Sequence, residues 1–436
     1  MFKYVLKRLG LSIIVLLGVS VIIYFLVRLM PNNYLDTKFS AQIQQGTITL
    51  EELDDFKKRY GLYMPEAYIT VTPDAGDYAG TVFTKDAKIK NRENAELGVL
   101  TPAEYYEGTY TSKEDDTLTL EIIKGGTFSI VRTDGETKQT LLKGIISATL
   151  DTLSLGNTAC TVEYREANFW EKFGSVLGGY FSWLGNMLRG DMGNSFLYEL
   201  PVNEVIADHM WVSFLISLVA LIFQFAIAIP LGIVSATKQY SVVDYSVTVI
   251  TMIGISLPSF FFAALLIKVF SSWLGWFPAS GLVSAGGSSV GFMYFLDMLH
   301  HLVLPMLVLI VLSIGGLMRY TRTNMLEVLN SDYIRTARSK GLSEKKVIYT
   351  HAFRNTMIPL MTLLAGILPS LFGGAMITEE VFAIDGIGRL AYKALQQGDV
   401  PFIMGYNMFL AVLTVIGTLL SDLMYAVVDP RVKLSK

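Results

Sequence analysis

The side chains in this sequence that could do chemistry fall in a few short patterns. Gly287-Ser288-Ser289-Val290-Gly291 has the G-x-S-x-G form of a serine nucleophile. That arrangement needs a strand before it, a helix after it and a His–acid pair to activate the hydroxyl. Here the pattern lies in a Gly/Ser-rich loop without those partners, so a plain loop is expected. Gly386-Ile387-Gly388-Arg389-Leu390-Ala391 has the G-x-G-x-x-A form of a phosphate-binding turn. The pattern carries that chemistry only inside a βαβ unit, and none surrounds it. His300-His301 offers two imidazoles with no further ligand nearby, so a helix end at a membrane interface is expected and no metal site is assigned. The single cysteine, Cys160, excludes an internal disulfide framework and a Cys-based zinc site. No G-x-x-x-x-G-K-[ST] run occurs, so the chain is not expected to bind ATP through a P-loop. No catalytic residue, metal or resident cofactor is assigned.

The elements behind these patterns are those of a membrane protein. The 436 residues are 52% hydrophobic and only 17% charged, whereas soluble domains carry about 25% charge. A spanning helix needs about 20 mostly apolar residues. Six stretches qualify: 9–29, 211–235, 246–270, 301–318, 357–378 and 402–428. The first follows Lys3, Lys7 and Arg8, as a secretory signal would. Its apolar run is longer than a signal core and no small-x-small cleavage site follows, so a retained anchor is expected. Short cytoplasmic loops carry the excess of cations. The loop 319–355 holds eight Lys+Arg against three acids, and 271–300 holds no Lys or Arg. Both termini are therefore expected inside, with residues about 31–210 extracytoplasmic.

The first long loop differs in kind from the spans. Residues 31–208 carry 16 Lys+Arg against 27 Asp+Glu, an acidic island in a basic, apolar chain. Five segments are expected: 1–30 with the first span, a polar helical stretch at 31–69, a β-rich insert at 70–167, an interfacial aromatic helix and loop at 168–210, and a five-helix core at 211–436. In the insert, Leu118, Leu120 and Ile122 alternate with polar neighbours, and Asp134-Gly135 suits a tight hairpin. A small antiparallel meander or barrel is expected there, with Cys160 packed on a strand.

Ionisable residues inside the spans are few, which speaks against an ion relay. Lys268 and Asp422 lie near span ends, and Gln224 and Asn407 are neutral. Pro258 in the third span and Gly366, Gly373 and Gly374 in the fifth are candidates for a pathway lining or a hinge. In the inside loop, Gly341 can end one helix and Ser343 can start the next, with Glu344 in its first turn. By charge alone that basic hairpin suits a lipid surface or a docking protein equally.

The hairpin also resembles the EAA coupling loop of ABC importer permeases, with wording most similar to the oligopeptide/dipeptide family, first membrane subunit type. The resemblance continues in Leu6-Lys7-Arg8-Leu9, Arg28-Leu29-Met30-Pro31, Leu188-Arg189-Gly190-Asp191-Met192-Gly193-Asn194-Ser195 and Ile229-Pro230-Leu231-Gly232-Ile233. It extends through Leu274-Gly275-Trp276-Phe277-Pro278-Ala279-Ser280-Gly281, Glu380-Val381-Phe382, Gly386-Ile387-Gly388-Arg389-Leu390 and Asp429-Pro430-Arg431. These follow family order over roughly 1–66 and 168–436. Two departures stand out: Arg335-Thr336-Ala337 replaces an opening acid, and Asp385 stands where the family usually has proline.

The resemblance implies an all-α polytopic type I ABC importer permease of six spans, with an inserted extracytoplasmic small β domain. It implies four kinds of partner: a second permease subunit, two cytoplasmic ATPase subunits that hold ATP and Mg, an external peptide-binding protein and membrane lipid, with no nucleic acid. Arg335, Thr336, Ala337, Arg338, Lys340, Gly341, Leu342, Ser343, Lys345 and Lys346 would meet the ATPase, small Ala337 and Gly341 allowing close approach. Glu380, Asp385, Gly386, Gly388 and Arg389 would lie in an outer loop near the binding protein. The insert would contact that protein, cover the outer mouth or merely decorate. Alternatives are import of nickel or another small solute, an ion-coupled secondary transporter, and a mechanotransmitting ABC permease with four spans.

Overall fold

The computed structural model describes residues 2–28, 57–58, 61–135, 137–286 and 290–428, in two compact units. Most of the polar stretch expected at 31–69, the tail cations and Gly287–Ser289 lie outside the described residues.

One unit, Lys38–Gly185, holds an eight-stranded closed barrel. Its strands are β1 (Ala67–Pro73), β2 (Phe83–Ala87), β3 (Gly108–Ser112), β4 (Leu118–Ile123), β5 (Thr127–Asp134), β6 (Thr137–Ala148), β7 (Leu153–Leu155) and β8 (Thr158–Glu166). Each pairs antiparallel with its chain neighbour, and β1 closes on β8 from Ala67↔Glu166 to Pro73↔Cys160. Closure leaves no edge strand. Alternation explains the filling: Ile69, Val71, Leu118, Leu120, Ile122, Phe128 and Ile130 all point inward and are buried. The interior is a packed core. Tyr110 is fully buried and its hydroxyl donates to Tyr106 O at 2.8 Å. Cys160 is buried on β8. Gly144 lies opposite Phe128, and a Cβ there would come within 2.7 Å of the ring, so the aromatic takes the space that glycine leaves. The stretch 88–107, expected to be β-rich, instead forms α2 (Ile89–Glu96) and α3 (Pro102–Tyr106). Proline at the first helical position and a Thr101–Glu104 capping box start α3 and override the strand texture.

The aromatic run gives α4 (Phe169–Leu188), whose Asn168 side chain accepts from Glu171 N at 2.9 Å. Its Ser175 donates to Tyr63 O at 3.1 Å, while Phe169, Trp170 and Phe181 are exposed.

The second unit comprises Met1–Thr37 and Asn186–Lys436. Its helices are α1 (Phe2–Arg28), α5 (Val202–Thr237), α6 (Val242–Ser256), α7 (Ser259–Leu266), α8 (Phe292–Leu329), α9 (Asp332–Ser339), α10 (Glu344–Lys346), α11 (Phe353–Gly373), α12 (Met376–Val381), α13 (Ile387–Gln397) and α14 (Val400–Val428). Among the described residues four helical stretches are long and apolar enough to cross a membrane: Arg8–Arg28, Val202–Thr237, Phe292–Leu329 and Val400–Ser421. The stretch expected as one span at 246–270 is broken. α6 and α7, the latter continued by a π-helical turn to Trp273, meet at 101°. Proline 258 disfavours helical backbone at Leu257 and itself becomes the cap of α7. Taken as one span, the bent pair makes a fifth.

Candidate functional site

The basic hairpin forms an elbow between α8 and α11. Spacing of i, i+3 puts Ile334 and Ala337 on one face of α9. Both are buried, in a cluster with Ile233 and Ala236 of α5, Met325 of α8, Val347 and Ala352. Full burial of a residue such as Ile334 stabilises by about 1.5–3 kcal/mol. Ala337 thus packs inward against the chain's own helices. Leu342 is half-buried on the same cluster.

The other face is polar. Gly341 takes φ +73°, which L side chains rarely adopt, and a Cβ there would meet nothing within 4 Å. It ends α9, as its type suggested. Across the turn Arg338 grips Glu344, with Nε to Oε1 at 2.9 Å, and Arg335 reaches Asp332 at 3.7 Å. Thr336 donates back to Asp332 O at 3.0 Å. Ser343 occupies the cap position of α10, but its side chain makes no capping bond. Lys340, Lys345 and Lys346 are exposed and form no ion pair among the described residues. The result is a cationic surface on an apolar base.

A cavity of about 630 Å³ lies elsewhere in this unit. Ser259, next to Pro258, forms one wall. Gly366, Pro369, Ser370 and Gly373 of α11, the Gly374–Ala375 junction, Met376, Ile377 and Thr378 of α12, and Tyr406, Leu410 and Thr414 of α14 form the rest. Three of the four residues singled out as pathway or hinge candidates therefore border one space, and Pro258 sets its neighbour's position. Gly374 takes φ +72° and breaks α11 from α12. The Tyr406 hydroxyl donates to Gly373 O at 2.5 Å and ties α14 to that break. The lining is hydroxyls, backbone and apolar carbon, with no charged side chain.

Beside the cavity sits a residue that the sequence reading missed. Glu379 is 2% exposed on α12. Its Oε1 accepts from Ser213 Oγ of α5 at 2.8 Å and from Ala375 N at 2.9 Å. Its Oε2 accepts from Arg389 N at 2.9 Å, in the first turn of α13, where an anion is favoured. Ser213 Oγ in turn accepts from Ile387 N at 2.9 Å. The glycines of the apparent phosphate-binding pattern are explained by this carboxylate. A Cβ on Gly388 would lie 2.9 Å from Oε2, and Gly386 also abuts the carboxylate. That spacing was the available signal. Glu380 and Asp385 both bind Arg389, at 3.1 and 2.7 Å. The five residues expected in this loop are therefore brought together around Glu379.

A second buried carboxylate, Asp399, accepts from Ser195 Oγ at 2.5 Å and from Leu197 N at 3.0 Å, pinning the 195–197 loop to the start of α14. His300 and His301 diverge, toward Trp276 O and Asp297 O. No group of metal ligands occurs among the described residues.

Comparison with known proteins fits these features. Residues 228–434 match the family model described as binding-protein-dependent transport system inner membrane component. The chain is 43% identical over 255 residues to the oligopeptide transport system permease protein AppB of Bacillus subtilis, covering 58% of this chain and 79% of that protein. It is 40% identical to a putative peptide transport system permease protein of Brucella abortus, with 58% and 78% covered. With the dipeptide transport system permease protein DppB of Escherichia coli it shares 34% identity, over 59% and 81%. Among solved structures, the inward-facing methionine transporter MetNI aligns at TM-score 0.39 and 16% identity, over 52% of this chain and 96% of that one.

Proposed function

The chain belongs to the binding-protein-dependent transport system inner membrane component family, and from that premise we propose that it is a permease subunit of an ATP-driven peptide importer. It carries no enzymatic activity of its own. ATP and Mg are held by two partner ATPase subunits at the cytoplasmic side. A second permease subunit completes the pathway, and an external binding protein delivers peptide. Both termini are cytoplasmic. α11, at 21 residues, supplies the sixth span beside the five helices above.

The observation that carries this function is the elbow. Its apolar base locks α9 to the ends of α5 and α8. Its cationic face, Arg335, Arg338, Lys340, Lys345 and Lys346, is left for an ATPase. Movement of the ATPases on binding ATP then reaches the spans without flexing a loop. The neutral cavity suits cargo of variable sequence, because peptide backbone finds hydroxyls and carbonyls there while no fixed charge selects a side chain. ATP and the loaded binding protein must each favour one of two arrangements, since a ligand with equal affinity for both shifts nothing.

Gly341→Asp tests the elbow. Asp tolerates the left-handed region better than most residues, and the site has room, so the subunit inserts. Uptake and coupled ATP hydrolysis fall by about tenfold or more, within the range of measured couplings. Normal uptake by the variant would reject the docking role.

A further inference from the structure

Asp244 and Arg322 have no part in the elbow surface or in the cavity, yet they form the most enclosed ion pair of the described spans. Asp244, 3% exposed, lies in the first turn of α6. Arg322 of α8 forks onto it, Nε to Oδ1 at 3.0 Å and a terminal nitrogen to Oδ2 at 2.9 Å. Tyr240 N donates to the same carboxylate at 3.0 Å, and Ser235 Oγ of α5 donates to it as well. A planar fork fixes direction as well as distance.

The pair is the first of three places where α6 is held against α8. A Cβ on Gly315 of α8 would lie 2.6 Å from Thr251 O, and one on Gly254 of α6 would lie 2.8 Å from Val311 O. The partners run antiparallel: 244 with 322, 251 with 315, 254 with 311. At that separation the two helices cannot slide independently. One turn beyond Arg322, Met325 is fully buried in the elbow's apolar cluster. At the other end of α6 come the 101° bend and Ser259 in the cavity wall.

We infer that Asp244 and Arg322 are positioning residues for transport: they clamp the broken span to α8, so that displacement of the elbow moves the cavity wall at Ser259. The inference rests on the importer function proposed above. A buried pair that served only to hold the fold would change the amount of complex, not the ratio of work to fuel. Removing the clamp changes the ratio.

The experiment uses the complete complex in lipid vesicles, with a labelled peptide inside the binding protein. Peptide imported and ATP hydrolysed are both counted per assembled complex. Asp244→Asn keeps size and Arg322→Lys keeps charge, and each loosens the fork. Gly315→Ala leaves the pair intact but forces α6 off α8 by a separate route. All three are expected to hydrolyse ATP within twofold of the parent while uptake falls about tenfold, so ATP spent per peptide rises about tenfold, as coupling losses of this class do. Uptake and hydrolysis that fall in proportion, or a ratio unchanged in all three, overturn the inference. Import without ATP by the parent complex would instead overturn the importer function.

Discussion

Glu379→Gln gives the sharpest measurable test of the buried knot beside the cavity. The substitution keeps shape but replaces one carboxylate oxygen with an NH2 group. Oε1 has two donors, Ser213 Oγ and Ala375 N, and Oε2 has one, Arg389 N. With the amide oxygen at the Oε1 place, Arg389 N faces another donor in a space closed by Gly388. A buried donor left without an acceptor costs about 1–3 kcal/mol, so about 2 kcal/mol is expected. At a factor of ten per about 1.4 kcal/mol, that is roughly a thirtyfold loss of protection. Hydrogen exchange of the Arg389 and Ala375 amides in the detergent-solubilised complex reads it directly, because exchange reports local opening. Glu379→Ala strands all three donors and is expected to cost about 3–9 kcal/mol, which approaches the whole stability of a domain. The refuting result is an Arg389 amide in Glu379→Gln that exchanges at the parent rate. A loss spread evenly over α5 and α14 as well would equally refute a local knot.

Three further outcomes are expected. Gly366→Trp places an indole in the cavity, where a Cβ meets nothing within 4 Å, so uptake falls at least about tenfold with insertion unchanged; parent-level uptake in vesicles would remove the cavity from the pathway. Removing residues 67–166, whose first and last members are paired, leaves the membrane part inserted and lowers uptake about fivefold if the barrel engages the binding protein; unchanged uptake would leave it a decoration. Burial pushes the Cys160 thiol up to about 11 from an ordinary 9.0. A raised folded pKa favours the neutral form, so the barrel keeps this stabilisation below about pH 9 and loses it as pH rises toward 11. Maleimide labelling of the native chain at pH 8 should be slow and become fast on unfolding; rapid native labelling would contradict the packing.

The sequence made some of this legible for definite reasons. Alternation at Leu118, Leu120 and Ile122 announced inward-facing strands, since each of those side chains is in the barrel core. Gly341 announced the helix stop, because few other residues adopt its φ. Pro258 marks a break in the sequence but not its 101° angle, as apolarity continues unbroken through the bend and periodicity cannot report an angle. The smallness of Ala337 suggests close approach, while its i+3 relation to Ile334 accounts for its burial on the inner face of α9. Glu379 and Glu380 are adjacent acids of one type. Only the glycines at 374, 386 and 388, gathered by the fold, distinguish the buried one. Asp244 and Arg322 are 78 residues apart, and no local pattern joins them.

The barrel's closing pair has a consequence for how such a domain can exist in this chain. Ala67 and Glu166 face each other across neighbouring strands, so the polypeptide enters and leaves through one doorway about 5 Å wide. The flanking segments are held no farther apart than the arms of a tight turn would be. A hundred-residue cassette of this kind can be gained, dropped or exchanged for another fold with adjoining ends.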